Sequence, residues 1–360
     1  MTSIHPKLKA YLATAIKHNA SDLHLQPNTK PHIRIDHSLA AVGKEILTPD
    51  FVNELILSSL DEKQQKVLIE EYEVDYALTI PEVGRFRVNA YTAQGNYESV
   101  IRVVAPAPRS ASELQLPIVI EELALKSSGL VLVAGSTGSG KSSTLASMVD
   151  VINCREFKKI VTIENPVEIL HTNKKSIITQ REIGLDTNSF SSALRGALRQ
   201  DPNVIMVGEI RDKETADAAI QAAQTGHLVL STIHAGSAEE AIIRITNLFP
   251  LGDRENVRET IASVLKGIVV QKLLTDVTKK RVPACEVLIN TARVTSILTG
   301  DSKEPLERAM QEGSIYKMQT LDQHLVKLVV DKKITLAVAL SAANNEQATR
   351  TDLKNMGIIK

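Results

Sequence analysis

Hydrophobic and polar positions divide the chain into two regimes. Over the first hundred residues they alternate; further along, whole runs are apolar. Leu8, Leu12, Ala15 and Ile16 fall at helical spacing among polar residues, which predicts a helix within residues 1–20. SDLHLQP and PHIRID then alternate as half-buried strands do. In LTPDFVNELILSSL, Thr48 is placed to cap a helix, Pro49 suits its first turn, and Asp50 stands at its positive end. EVDYALTI, GRFRVNAYT and YESVIRVV return to strand patterning. Residues 1–104 therefore read as a small α+β domain.

APAPRSASELQLP, residues 105–117, has three prolines and no periodicity, and reads as an interdomain linker. Downstream, LVLVAG, KIVTIE, NVIMVGE and HLVLSTIH alternate with amphipathic helices. Strands this uniformly apolar suit a parallel sheet covered on both faces. Residues 118–289 thus read as an α/β core, and residues 290–360 as a helical region ending in a polar tail. No internal repeat is present.

Composition narrows the partners. The 42 basic and 42 acidic residues cancel, aromatics are 3%, and Trp is absent. Neither an overall basic field nor a stacking platform is offered, so nucleic acid is not an expected partner. Cys154 and Cys285 are too far apart for a Cys-x-x-Cys pair and suit plain thiols in a reducing compartment. No apolar run reaches the roughly 18 residues of a membrane span, and the N-terminus lacks a signal peptide's apolar core. A cytoplasmic protein, touching membrane only through partners, is expected.

The chemistry starts where the run GLVLVA meets GSTGSGKSS, residues 135–143. Gly135, Gly140, Lys141 and Ser142 occupy the fixed positions of G-x-x-x-x-G-K-[ST]. In such a loop backbone N–H groups turn inward at an anion, here from Gly135, Ser136, Thr137, Gly138, Ser139, Gly140, Lys141, Ser142 and Ser143. Lys141 supplies a mobile cation for the β and γ phosphates, and Ser142 can hold Mg²⁺. ATP and Mg²⁺ are the expected ligands. In DPNVIMVGEIRD an apolar strand ends in Glu209, placed to contact the metal sphere or orient water. In IVTIENPVE another ends in Glu164. Each acid alone could be a solvated terminus; with the loop, the pair points to hydrolysis. His227 and His234 bracket a further apolar strand, too far apart for one metal, and read as phosphate sensors or as structural histidines.

In order, GSTGSGKSS, TIENPVE, IMVGEIRD and TGHLVLSTIHAGSA resemble the Walker A, Asp, Walker B and His boxes of the type II/type IV secretion (GspE/VirB11-like) ATPase superfamily. ASDLHLQP and GRFRVNAY are similar to its PAS-like N-terminal fold, and MQTLDQHLVKLV and SSTLASMVD to its PilT-type pilus retraction subgroup. The resemblance implies an α/β protein: a small α+β PAS-like domain joined to a RecA-like P-loop ATPase domain with a helical C-terminal region. It implies a homohexamer with ATP between subunits, Glu209 polarising the attacking water, and Glu164, His227 and His234 in the Asp and His boxes. Arg87 and Arg102, fifteen residues apart, match the two arginines that the family brings to the phosphates from its N-terminal domain. Spacing alone does not choose Arg87 over Arg85.

The implied function is a motor at the inner face of the cytoplasmic membrane. It would couple ATP hydrolysis to type IV pilus dynamics through an inner-membrane platform protein, with related pilus ATPases as further partners. The chain has neither the four-cysteine zinc element nor the extra N-terminal domain of the assembly-side relatives, which favours retraction. TARVTSILTGD keeps only the apolar spacing of the retraction signature, with Thr295 and Thr299 in its arginine positions. An accessory PilU-like, assembly or secretion role is the alternative. From a different class, a nucleotide-gated switch with negligible hydrolysis would have no need of the two acids.

Overall fold

The computed structural model describes residues 4–35, 38–104 and 107–359. It forms two compact units, residues 1–106 and 107–360. Ala105 and Pro106, which open the expected linker, lie outside the described residues. The rest of that stretch belongs to the second unit, where Ala111 is buried and the Glu113 carboxylate accepts from the Ser110 N–H and hydroxyl at 2.7 Å each.

The first unit runs α1 (Pro6–Lys17), β1 (Asp22–Leu25), β2 (His32–Ile35), β3 (Ser38–Ala41), α2 (Pro49–Leu57), α3 (Glu62–Glu71), β4 (Glu73–Ile80), β5 (Gly84–Ala93) and β6 (Asn96–Val103). The strands form an antiparallel sheet in the order β3-β2-β1-β6-β5-β4. Thr48 caps α2 by accepting from the Phe51 N–H. Alternate residues of the five strands other than β3, among them Leu23, Ile33, Phe86, Val88 and Ile101, pack with Leu8, Leu12, Leu55 and Leu68 from the helices. The sheet's other face carries the polar alternates. Helix α3 and strand β3 are not evident in the pattern: α3 buries Leu68 alone, and β3 is exposed throughout. What fixes the start of α3 is a capping box between Asp61 and Gln64.

The second unit runs α4 (Val119–Ala124), β7 (Gly129–Ala134), α5 (Lys141–Arg155), β8 (Lys159–Glu164), β9 (Ile177–Glu182), α6 (Phe190–Ala197), β10 (Val204–Val207), α7 (Lys213–Gln224), β11 (Leu228–Ile233), α8 (Ala238–Asn247), α9 (Arg254–Val264), β12 (Leu265–Thr275) and β13 (Arg281–Ile289). Five helices follow: α10 (Ala292–Thr299), α11 (Leu306–Gln311), α12 (Leu321–Val330), α13 (Leu336–Ala342) and α14 (Glu346–Asn355). The sheet order is β13-β12-β7-β11-β10-β8-β9, parallel except for the β12–β13 pair. Strands β7, β10 and β11 are buried at every position, as their unbroken apolar runs require. β12 escapes the sequence pattern because it follows α9 without a break. β13 escapes it because it contains Pro283, which an edge strand tolerates.

Among the described residues no helix is long and apolar enough to cross a membrane, and no three His, Cys, Asp or Glu side chains cluster as a metal site. Cys154 is an exposed free thiol; Cys285 is buried, which pushes its thiol up to about 12. The Cys285 N–H donates to His324 Nδ1 at 2.8 Å, tying α12 to β13. Burial, with Lys327 and Lys333 nearby, lowers His324 to about 4. Burial lowers His171 to about 4 as well.

These histidines set an acid limit. In the unfolded chain they take up protons near 6.5, in the folded one near 4, so the unfolded state binds more protons between these values. Stability is therefore expected to fall as pH drops from 6.5 to 4, by at most about 3 kcal/mol for each histidine. Urea midpoints across that range measure this. His324→Asn, which can still accept from the Cys285 N–H, should flatten the slope.

Candidate nucleotide-binding site

The parallel register decides what meets what. Ala134 ends β7 beside Ile233 of β11 and Val270 of β12, and Val207 ends β10 beside Ile163 of β8. The residues that follow, Gly135, His234, Gly208–Glu209 and Glu164, therefore share the carboxyl edge of the sheet, where open α/β folds bind their ligands. His227 precedes β11 and so stands at the opposite edge. A six-residue strand separates it from His234, about 20 Å at the usual rise. There its Nδ1 lies 3.0 Å from the Ala222 carbonyl and 3.1 Å from the Thr225 hydroxyl, bracing the turn after α7. Of the two histidines, His234 stands at the loop's edge of the sheet and His227 at the opposite edge.

Gly135 and Gly140 are glycine for identifiable reasons. A Cβ on Gly135 (φ 147°) would lie 2.4 Å from Ser139 Oγ and 2.5 Å from the Gln271 carbonyl oxygen. On Gly140 (φ 91°) it would lie 2.9 Å from Gln271 Nε2. The loop is thus drawn tightly over β12 at Gln271. Ser139 Oγ is buried there without a hydrogen-bond partner. Helix α5 starts at Lys141 and brings its positive end to the loop. The Lys141 ammonium donates to the Gly135 and Ser136 carbonyls at 2.8 and 2.9 Å. Partial burial draws its pKa down, opposed by the fields of Glu209 and Glu168. Glu168 escaped the sequence reading; its signal was its place in ENPVE, four residues past Glu164. The tight cradle, the helix end and the aimed lysine fit a nucleotide's phosphates, and exposed Ser142 and half-buried Ser143 stand at the mouth.

The acids differ in setting. Glu209 Oε2 is 2.5 Å from Arg211 Nε and 3.9 Å from His234 Nε2. Its strand end is pinned on both sides: the Gly208 N–H donates to the Ile163 carbonyl at 2.8 Å, and Thr232 Oγ1 donates to the Gly208 carbonyl at 2.6 Å. His234 is shifted down, first by burial and then by Lys141. Glu164 is buried, and one oxygen accepts from Thr162 Oγ1 at 2.6 Å and Gln180 Nε2 at 3.0 Å. Burial raises its pKa. The structure therefore sets Glu209 with Lys141 and His234, and holds Glu164 beneath the edge against β9. A cleft of about 430 Å³ opens beside Ser136, lined further by His234, Arg244 and Lys272.

Arg87 and Arg102 belong to the other unit. They are direct cross-strand partners on β5 and β6, on the polar face of that sheet, and Asp22 of β1 continues the row. Arg102 Nε is 3.0 Å from Asp22 Oδ1, and Arg87 Nε is 3.9 Å from Asp75 Oδ1. Arg87 stands between Ala77 of β4 and Arg102 of β6, while Arg85 stands opposite Thr79 of β4.

An anion cradle at the carboxyl edge of a parallel sheet, facing a strand-end glutamate and a histidine, belongs to P-loop ATPases of the RecA-like kind. The neighbouring helical region and the small α+β unit narrow the class. The chain belongs to the type II/IV secretion system protein family, whose profile matches residues 1–357. It is 39% identical over 318 residues to the "Type IV pilus retractation ATPase PilT" of Pseudomonas aeruginosa, covering 88% of this chain and 92% of that one. It is 36% identical over 344 residues to that organism's "Type IV pilus ATPase PilU", covering 95% and 90%. The crystal structure of "the Pilus Retraction Motor PilT and Bound ADP" superposes with a TM-score of 0.87 at 38% identity, covering 94% of this chain and 98% of that one. The chain is an ATPase of this family, with the expected fold class.

The cradle geometry separates the glycines. Gly135→Ala should cost about 2–3 kcal/mol in urea unfolding and weaken MgADP binding more than tenfold, because it meets backbone as well as strain. Gly138→Ala, with nothing within 4 Å of the added carbon, should cost only the left-handed strain, about 1 kcal/mol. Equal losses at the two positions would contradict this account.

Proposed function

We propose that the chain is the ATP-driven motor of a type IV pilus and that it works in retraction. The observation that carries this is the likeness to the ADP-bound retraction motor over 94% of the chain, joined to a phosphate cradle whose lysine feels Glu209. In this reading Lys141 and the loop N–H groups bind the β and γ phosphates. Glu209 orients the attacking water and takes its proton at the carboxylate, and His234, shifted toward its neutral form, bonds the γ-phosphate. Ser142 would hold Mg²⁺, which supplies charge neutralisation when bound. Glu164 supports the edge from below. Arg87 and Arg102 provide planar, permanently charged donors for the transition state. The working form is a homohexamer at the inner face of the cytoplasmic membrane, acting on an inner-membrane platform protein.

A second reading, an accessory pilus ATPase, is favoured by the 36% identity to PilU over 95% of the chain and by Thr295 and Thr299 on α10. Glu209→Gln should lower ATP turnover about 100-fold or more while MgATP still binds. In the host, deletion of the gene should raise the count of surface pili and abolish twitching, and the Glu209→Gln allele should do the same. Fewer pili would mean assembly. Extra pili with twitching retained would mean the accessory role. Parent-like turnover by Glu209→Gln would remove the glutamate from the mechanism.

A further inference from the structure

Gln271 lies near the middle of GIVVQKLL, an apolar run with nothing polar before it. It is 1% exposed, so its amide must find partners inside the protein. It finds two. Gln271 Nε2 donates to the Ser139 carbonyl at 2.6 Å, and Gln271 Oε1 accepts from Thr144 Oγ1 at 2.9 Å. Ser139 belongs to the phosphate loop and Thr144 to the first turn of α5. One side chain thus ties both halves of the cradle to the neighbouring strand, one residue past the last β7–β12 pair, Ala134 with Val270. The same residue's backbone and amide are what a Cβ on Gly135 or Gly140 would strike. Two bonds and two steric limits converge on it.

We infer that Gln271 is a positioning residue for the phosphate cradle: its amide fixes the curvature of residues 135–140 and hence the direction of their N–H groups. This rests on the ATPase reading above. The chemistry is selective. A side-chain amide donates and accepts at once, as the Ser139 carbonyl and Thr144 hydroxyl require. A carboxylate would face the carbonyl with a second acceptor, and an apolar side chain would leave both groups unsatisfied. A protonated carboxyl, however, has the amide's shape and its donor–acceptor pair, and burial would favour that form.

The test is titration calorimetry on the full chain with MgADP and with adenosine, at pH 8 and pH 6. Gln271→Glu should bind MgADP at least tenfold more weakly than the parent at pH 8. At pH 6 it should recover to within about threefold of the parent measured at that pH. Gln271→Met should stay at least tenfold weaker at both. Adenosine, which lacks phosphates, should bind all three alike. Parent-like MgADP binding by Gln271→Glu at pH 8 would overturn the inference, as would an equal loss for adenosine or no recovery at pH 6. If Gln271→Met does not fold, the pH dependence of Gln271→Glu decides alone. A parent that binds no MgADP would overturn the ATPase reading instead, which separates the two failures.

Discussion

The constraint on which the second unit depends is the common direction of six strands. β12, β7, β11, β10, β8 and β9 run parallel, so every chain segment that leaves a strand leaves at the same edge. Their side chains are buried on both faces in the central strands, and a slip of one residue would unseat two cores at once. Register is therefore rigid. It carries Gly135, Glu209 and His234 to one edge from positions up to a hundred residues apart in sequence. The same constraint sends His227 to the other edge. A histidine's distance from a strand along the sequence says little; which end of the strand it occupies says nearly everything.

Electrostatics then divides the work among residues that look alike in the sequence. Glu164 and Glu209 both end apolar strands. Glu164 is enclosed, bonded by Thr162 and Gln180, and burial raises its pKa. Glu209 sits among Lys141, Arg211 and His234, cations or potential cations that a phosphate would also attract. Two strand-end acids thus meet opposite surroundings, one enclosed by neutral donors and the other set among cations.

Much of this was legible in the residues. The phosphate loop, the strand before it and the helix after it follow from one motif, because glycine, lysine and a buried apolar run have few other reasons to stand in that order. Thr48, Pro49 and Asp50 announce α2 for the same kind of reason. The sequence was silent where partners are remote. Gln271 is an unremarkable glutamine until β12 is known to lie beside β7, and β12 hides behind α9. That Arg87 lies across from Arg102 likewise emerges only from the β5–β6 register. Glu168 lies outside any strand, so no periodicity marks it. Local chemistry is written in local sequence, whereas support across strands is written only in topology.

Helix α10 holds the two threonines on which the accessory reading draws. Thr295 and Thr299 stand four residues apart on it, one helical turn. Both hydroxyls are spent locally: Thr295 Oγ1 donates to Asn290 Oδ1 at 3.1 Å, and Thr299 Oγ1 to the Thr295 carbonyl at 3.1 Å. Neither reproduces a long cation. The helix does carry one, Arg293, but it is held by Glu304 and by Glu312. Its guanidinium is therefore engaged by carboxylates of its own chain. The nucleotide edge, by contrast, has its loop, lysine, glutamate and histidine all in place. The hydroxyls and the cation of α10 are thus engaged within the chain, whereas the phosphate loop and His234 line an open cleft.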